Sequence, residues 1–461
     1  MADIRRLLVA NRGEIAVRIV RAAFDEGIET VVVTSQADRD SLAAKLADRA
    51  VVIGPASSSA SYLDVTAVVS AALATGCDAI HPGYGFLSEQ PALAEACADN
   101  DLVFVGPSVD SLVRGGDKGA SRELARSLGI PVSGAVEPQD DPAATVEMVE
   151  TLGYPVLVKA AAGGGGRGMS LVGAAEELLP AIERGSLEAQ EAFGDGRVFI
   201  ERFVVSGRHV EVQILGDGRG GVIHLGERDC SVQRRYQKVV EEAPAIALPD
   251  SLRTQLHASA VALGRELSYL GAGTVEFLVD VDRGDYFFLE INTRVQVEHP
   301  VTEMVTGIDI VRQQLRLAQG AELPAQDEIE LTGHALEVRL TSEDPARSFL
   351  PTPGTVTDWV APQGSEVRVD THLFPGYVVP PYYDSLLAKV ITRGDTREEA
   401  LATSLRALGH LRAEGIHTNV ELLKDIVADP EFGKGAVTTR WLETSFMPGW
   451  TPGQRGEDSH G

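Results

Sequence analysis

GTVEFLVDVDRGDYFFLEINTRVQVEH, residues 273–299, decides how the middle of this chain folds. Two apolar stretches rich in Val, Phe and Tyr flank Asp282-Arg283-Gly284, the pattern of an antiparallel hairpin. A turn centred on Arg283 sets Glu276 directly opposite Glu290. Asn292 lies two residues on and shares their face. Like charges in that position repel, so two carboxylates framed by Phe277, Leu278, Phe288 and Leu289 need a cation between them. Oxygen-only ligands select a hard ion, and Mg²⁺ keeps few protein ligands because it also takes phosphate oxygens. Two glutamates on a solvated sheet face remain the alternative. The run Arg294–His299 follows at once. If extended, it projects Arg294, Gln296 and Glu298 to one side, next to the metal. Arg binds a planar oxyanion through two donors and Gln adds another. Glu298 is the one candidate base in the run. A polar edge strand explains the same residues equally well.

Working outward, PVLVKA (155–160) leads into Gly163–Gly166 and then Arg167-Gly168 and MSLV. No Gly-Lys-Ser/Thr follows, so this is not a Walker A loop. A glycine run inside a hairpin offers backbone N–H groups to phosphate oxygens, and Lys159 adds a fixed positive charge beside it. The bland alternative is a surface hairpin that is costly to order. HVEVQIL/GDGRG/GVIHLGE is a further hairpin. Arg234–Lys238 (RRYQK) forms a basic patch that is equally consistent with a solvated loop. Lys118 in GGDKGAS, His209 in RHVEV and Tyr84 in HPGYGFLSE carry little weight singly.

Before this region, about 115 residues alternate strands (7–10, 30–34, 50–53, 79–81, 102–106) with helices, the first at 14–23. Continuous apolar strands in such alternation imply a parallel sheet covered on both faces. A Rossmann fingerprint is absent from the first turn, where Asn11-Arg12-Gly13-Glu14 stands. Asp141-Pro142 and Gly153 bracket a helix. The last third mixes strands (HALEVRL, LLAKVIT) with helices near 396–414 and 419–428. The tail Pro452–Gly461 is polar and expected to be disordered. The expected fold is α/β and α+β in several domains: residues 1–115 with a parallel sheet, 116–331 with antiparallel hairpins, 332–446 of mixed α+β, and a tail from 447 to 461.

The 461 residues include 41 Lys plus Arg and 67 Asp plus Glu, a net charge of −26. That balance argues against nucleic acid or a polybasic membrane contact as the partner. No apolar run is long enough to span a bilayer and the N-terminus is not a signal peptide. Three dispersed cysteines (Cys77, Cys97, Cys230) make neither a disulfide framework nor a CxxC metal site, and a reducing, cytoplasmic location is expected.

Taken together, the chain resembles the biotin carboxylase family, the ATP-grasp subunit or domain of biotin-dependent carboxylases. The resemblance rests on ANRGEIAVRI (10–19), HPGYGFLSE (81–89), GDK (116–118), KAAAGGGGRGM (159–169), RHVEVQI (208–214), ERDCSVQRRYQKVVEEAP (227–244), EINTRVQVEHPVTEM (290–304) and PPYYDSLLAK (380–389). In these terms the three domains are a pre-ATP-grasp, an ATP-grasp and a biotin carboxylase C-terminal domain. The resemblance implies that Lys118, Lys159, Gly165, Gly166, His209 and Gln233 surround ATP, with Glu201 and the backbone of Arg202, Phe203 and Val204 at the adenine. It implies Mg²⁺ or Mn²⁺ on Glu276, Glu290 and Asn292. Lys238, Arg294, Gln296 and Val297 would bind bicarbonate, and Glu298 would deprotonate it for attack on the γ-phosphate. The carboxyphosphate so formed would decompose to CO₂ and phosphate, which takes the N1′ proton of biotin. Arg339 would stabilise the biotin enolate, and Tyr84 would lie near the ureido ring. The sequence departs from the family pattern at Tyr236, where His is usual, at Arg202, where Lys is common, and at Ala161-Ala162, which shortens the glycine run.

No Met-Lys dipeptide occurs in the chain, so biotin is expected on a separate carrier protein, with carboxyltransferase subunits as further partners. The family suggests a homodimer. Two other readings stand beside this one. Another ATP-grasp ligase, such as a carbamoyl-phosphate-forming one, shares the Lys, Glu and Asn set but not RVQVEHPVTEM with Lys238. A non-catalytic carboxylase subunit has only Tyr236 in its favour.

Overall fold

The computed structural model describes residues 3–139, 141–160, 169–193, 196–435 and 437–452. Gly165 and Gly166 of the expected phosphate loop, Ala161-Ala162, and the tail from Gly453 onward lie outside the described residues.

The amino-terminal region is a five-stranded parallel sheet of β1 (Arg6–Val9), β2 (Glu29–Ser35), β3 (Arg49–Gly54), β4 (Ala79–His81) and β5 (Val103–Phe104), in the order β3-β2-β1-β4-β5. Its central strands are buried, as continuous Val/Leu/Ile runs require when helices cover both faces. Helix Gly13–Asp25 puts Ile15, Val17, Ile19 and Val20 into the core. The run 102–106 yields only a two-residue strand, Val103–Phe104, with Gly106-Pro107 one residue beyond its end.

A four-stranded sheet follows, β6 (Ala135–Val136), β7 (Val156–Ala160), β8 (Met169–Val172) and β9 (Val198–Arg202), ordered β6-β9-β7-β8. β7 and β8 pair antiparallel with Lys159 opposite Met169, so the glycine run joins the two arms of a hairpin. Helix Pro142–Leu152 begins under Asp141, whose side chain accepts from the Ala143 N–H, and stops at Gly153.

The third sheet holds the candidate site. β10 (Gly207–Asp217), β11 (Val222–Arg234), β12 (Gln237–Ala243), β13 (Leu270–Asp280), β14 (Asp285–Asn292) and β15 (His334–Thr341) join strands Leu386–Gly394 and Val367–Thr371 in one eight-stranded antiparallel sheet. Its order begins β14-β13-β10-β11-β12-β15, so backbone pairing between β12 and β15 crosses the expected boundary at 331. Helix His299–Thr306 packs over β12, β15 and strand Leu386–Gly394.

Three local expectations need correction. The β13–β14 turn does not centre on Arg283. Asp280 pairs with Asp285, and the four-residue loop between them closes on Gly284 at φ 71°. A bulge at Leu289 then adds one residue to β14 and restores Glu276 opposite Glu290. Arg294–His299 is not extended: the chain bends at Arg294, turns at Val297-Glu298 and enters the helix at His299, with Pro300 in its first turn. The helix near 396–414 ends at His410. Leu411 is extended, and Arg412–Glu414 pairs with Asp358–Val360 instead.

Candidate active site

Directly paired residues put Glu290, Glu276 and Glu211 side by side on β14, β13 and β10, and Arg228 continues the row on β11. Three adjacent carboxylates on one sheet face require cations. Arg228, fully buried, donates Nε–H to Glu211 at 2.6 Å. Lys238, from the adjoining β12, reaches back across the row. Its Nζ lies 2.5 Å from Glu211 Oε2, 3.0 Å from Glu276 Oε1 and 2.5 Å from Glu298 Oε1. His209 Nε2 stands 3.2 Å from Glu276 and 3.6 Å from Glu211, and its Nδ1 meets the Gln233 amide at 2.9 Å.

Burial opposes every charge in this cluster, and the opposite charges overcome it. Burial would lower the His209 imidazole, but Glu276 overrides that and raises it to about 9, so the ring is cationic at neutral pH. Burial would raise Glu276, yet Lys238 and His209 hold it below the usual carboxylate range. Glu298 is likewise held down, against burial, chiefly by Lys238 with help from Arg339 and Arg228. Lys238 stays well above the ordinary ammonium value despite its burial, through Glu211, Glu276 and Glu298.

Arg339, from β15, closes the other side. Its guanidinium donates to Glu298 Oε2 at 3.0 Å and from Nε to Glu241 Oε1 at 2.5 Å. The amino-terminal region completes the wall. Glu89 accepts from the Thr293 N–H at 3.1 Å and from Arg294 Nε at 2.9 Å, which aims Arg294 across Gln296 and Asn292. The Tyr84 hydroxyl donates to the buried Glu14, and Lys389 joins Glu14 to the Val297 carbonyl at 3.1 and 2.8 Å. Tyr84, His209, Lys238, Glu276, Glu290, Asn292, Arg294, Gln296, Val297, Glu298 and Arg339 thus surround one cavity of about 470 Å³. The Gln296 Nε2 amide is buried with no partner among the described residues, so a donor stands ready for an oxyanion.

The donor set suits a hard divalent cation. Glu276 faces Lys238, the Asn292 Oδ1 faces Arg294 at 3.0 Å, and Glu290 faces Lys118 at 3.1 Å, so each oxygen already draws positive charge. With the metal on these ligands, Glu290→Gln raises the Mg²⁺ or Mn²⁺ concentration for half-maximal activity by at least about tenfold, as ligand-sphere changes do. Metal titration of the variant checks this; an unchanged titration assigns the metal elsewhere.

Lys159, Glu201, Arg202, Phe203 and Val204 do not line this cavity, and Lys118 and Gln233 meet it only through Glu290 and His209. Lys159 Nζ is 2.6 Å from Glu201, which also accepts from Arg122 at 3.2 Å. The Glu201 carboxylate is therefore engaged with cations, and Arg202 pairs with Asp280 at 2.9 Å. Tyr236 lies exposed at φ 64° in the β11–β12 turn and lines the cavity mouth. The sequence reading passes over Glu211, Glu241, Glu89, Glu14 and Lys389. Only Glu211 leaves a local signal, two residues beyond His209 and on the same strand face.

Comparison with known proteins agrees with this geometry. Residues 3–112 match the family model for the biotin carboxylase N-terminal domain. Residues 117–326 match that for the ATP-binding domain of the carbamoyl-phosphate synthase L chain, and residues 337–444 that for the biotin carboxylase C-terminal domain. Biotin carboxylase 1 of Bacillus subtilis is 47% identical over 97% of this chain and 100% of its own length. Biotin carboxylase of Pseudomonas aeruginosa is 49% identical over 95% and 98%. Among solved structures, the Campylobacter jejuni biotin carboxylase in complex with a β,γ-ATP compound is 43% identical, with TM-score 0.88 over 96% of this chain and 99% of that one. The biotin carboxylase domain dimer of Hydrogenobacter thermophilus 2-oxoglutarate carboxylase, in complex with MgADP, ADP and bicarbonate, is 41% identical, with TM-score 0.87 over 95% and 97%.

Proposed function

The chain belongs to the biotin carboxylase family, and from that premise we propose that it carboxylates biotin held on a separate carrier protein, consuming ATP and bicarbonate with Mg²⁺ or Mn²⁺. It is an ATP-dependent ligase. The observation that carries the detailed reading is the meeting of Lys238, Arg294, Gln296, Glu298 and Arg339 around one cavity.

Bicarbonate fits between the Arg294 guanidinium, the unpartnered Gln296 amide, the Val297 backbone and Lys238. Glu298 is the base. With Lys238 and Arg339 both turned on it, it is a weak one. An anion entering between them draws off part of that positive charge and raises the proton affinity of Glu298 as the substrate arrives. Glu276, Glu290 and Asn292 would hold the metal, which supplies charge neutralisation to phosphate oxygens. Lys118, Lys159, His209, Gln233 and the backbone of 202–204 take the nucleotide, with Glu201 holding Lys159 in place. Carboxyphosphate then breaks down to CO₂ and phosphate, and Arg339 faces the biotin enolate with Tyr84 beside the ureido ring.

The domain limits follow as 1–115, 116–331 and 332–446, close to the three family matches. The partners are a biotin carboxyl carrier protein and carboxyltransferase subunits, which makes this the first half-reaction of an acyl-CoA carboxylase such as the acetyl-CoA carboxylase of fatty acid synthesis. A homodimer is supported by the dimer described for the Hydrogenobacter relative. Cys77, Cys97 and Cys230 are buried free thiols, in keeping with a reducing cytoplasm, and no helix among the described residues is long and apolar enough to cross a membrane.

The purified chain should carboxylate a biotinylated carrier when given ATP, Mg²⁺ and bicarbonate. ATP turnover that biotin leaves unstimulated would instead favour a carbamoyl-phosphate-type ligase, the family named by the middle match.

A further inference from the structure

Behind the cavity, β12 and β15 place two glutamates in an arrangement that the reaction itself does not use. Glu241 and Glu337 are a directly opposed cross-strand pair, and both are fully buried. Glu337 shares its strand face with Ala335 and Arg339. That face lies under helix His299–Thr306, where Ala243, Ala335 and Ile391 pack against Val301 and Val305. Both carboxyl oxygens of Glu337 lack a hydrogen-bond partner, and so does Glu241 Oε2. Glu241 Oε1, by contrast, accepts from Arg339 Nε at 2.5 Å.

Two ionised carboxylates opposed in an apolar setting are costly, and the ordinary resolution is that one of them keeps a proton. The surroundings say which. Arg339 on β15 faces Glu241, and Lys238 on β12 lies further along the same strand. Glu298, ahead of the helix, adds negative charge from above and disfavours a further anion. Lys389, opposite Arg339 on strand Leu386–Gly394, is committed to Glu14 and the Val297 carbonyl. Among the described residues no cation lies within ion-pair distance of Glu337, on which Lys389 and Arg339 act only from further off.

We propose that Glu241 and Glu337 are positioning residues for Arg339: an acid pair in which Glu337 holds a proton while ionised Glu241 fixes the guanidinium. Loss of that proton sets a second negative charge behind Arg339 and weakens its attraction for an oxyanion in the cavity. Burial pushes Glu337 well above the ordinary carboxyl value, against Lys389 and Arg339, and Glu241 up to about 7, against Arg339, so the pair takes up its first charge on Glu241 near neutral pH while Glu337 keeps its proton.

The proposal depends on the ligase reading only for its activity measurement. Three readouts test it. Infrared spectra of the intact protein at neutral pH should contain a protonated-carboxyl band that disappears in Glu337→Gln. No such band in the parent protein overturns the proposal whatever the enzyme does. Thermal stability gives the second. A carboxyl whose folded pKa is raised stabilises at acid pH and loses that contribution as pH climbs from the ordinary value through the folded one. The parent should therefore lose stability relative to Glu337→Gln between mildly acid and mildly alkaline pH. In the third, the ratio of parent to Glu337→Gln kcat/KM for biotin should fall by about tenfold as pH climbs through the raised Glu337 value, roughly the effect of one nearby charge. Glu241→Gln should lower kcat while leaving KM for ATP in place. Parallel stability curves and a flat ratio overturn the pair. If the amide does not fold, the similarly sized Glu337→Met carries the same expectations, and the infrared measurement needs no variant.

Discussion

Glu298→Gln should cut bicarbonate-dependent ATP cleavage by about 10²–10⁴-fold, the usual contribution of a positioned general base, and leave KM for ATP within a few-fold of the parent. The separation follows from the packing. Glu298 touches Lys238 and Arg339, whereas Lys118, Lys159 and the 201–204 segment stand outside its reach. The amide also leaves the fold intact, because Lys238 keeps Glu211 and Glu276 and Arg339 keeps Glu241. In the parent, Lys238 and Arg339 hold Glu298 ionised below the ordinary carboxylate range against its burial. The acid limb of kcat/KM should accordingly sit below the usual glutamate value, and the residual rate of the variant should lack that limb. Initial rates across pH, with bicarbonate varied, decide it. Near-normal turnover in Glu298→Gln removes the residue from the role of base.

Much of the architecture was legible because it depends on short-range signals. Continuous apolar runs separated by amphipathic helices specify the parallel sheet at the start of the chain, and Gly/Asp turns specify the hairpins of the middle. The opposition of Glu276 and Glu290 was also legible, though through a cancelling pair of details. A tighter turn shifts the register by one residue and the bulge at Leu289 shifts it back. A sequence pattern of period two carries no mark of where an extra residue is inserted. Arg294–His299 has the spacing of an extended run, but its conformation differs. Pro300 and the helix that follows it favour a turn at Val297-Glu298, and that turn delivers Glu298 to the cavity just as an extended strand was expected to.

What stayed hidden is the set of counter-charges. Glu89 reaches Arg294 from more than two hundred positions away, and Lys389 reaches the Val297 carbonyl from ninety-two. No local pattern distinguishes such residues from the many exposed glutamates and lysines of an acidic chain. Glu241 and Glu337 are hidden for another reason: each sits in an ordinary strand sequence, and only the pairing of β12 with β15 brings them face to face. The net charge of −26 hides this too, since part of the acidic excess is not surface at all. Glu211, Glu276, Glu298, Glu241 and Glu337 are all buried around the site, and the first four pair with cations there rather than confer solubility.

Lys238→Met should be the most damaging single change in this cluster. It removes the ammonium shared by Glu211, Glu276 and Glu298 and leaves buried negative charge uncompensated, a defect that costs about 3–5 kcal/mol in other proteins. It also removes one of the cations expected to hold bicarbonate, so activity should fall together with stability. The pH dependence separates this account from simple loss of packing. In the parent, Glu211, Glu276 and Glu298 are held below their ordinary values, and the stability they contribute is lost only when pH falls through those lowered values. Without Lys238, burial becomes the dominant influence on Glu298 and Glu276, and their affinity for protons rises. A raised folded value reverses the sign: stability is present at acid pH and declines as pH rises. The deficit of the variant relative to the parent should therefore be greatest at mildly alkaline pH and shrink toward mildly acid pH. Paired thermal or denaturant unfolding curves across that range measure it. A deficit that does not vary with pH would assign the damage to lost packing of the lysine stem instead. Rescue by Lys238→Arg should be incomplete, because a planar guanidinium cannot point separate donors at three carboxylates arranged around a single ammonium nitrogen.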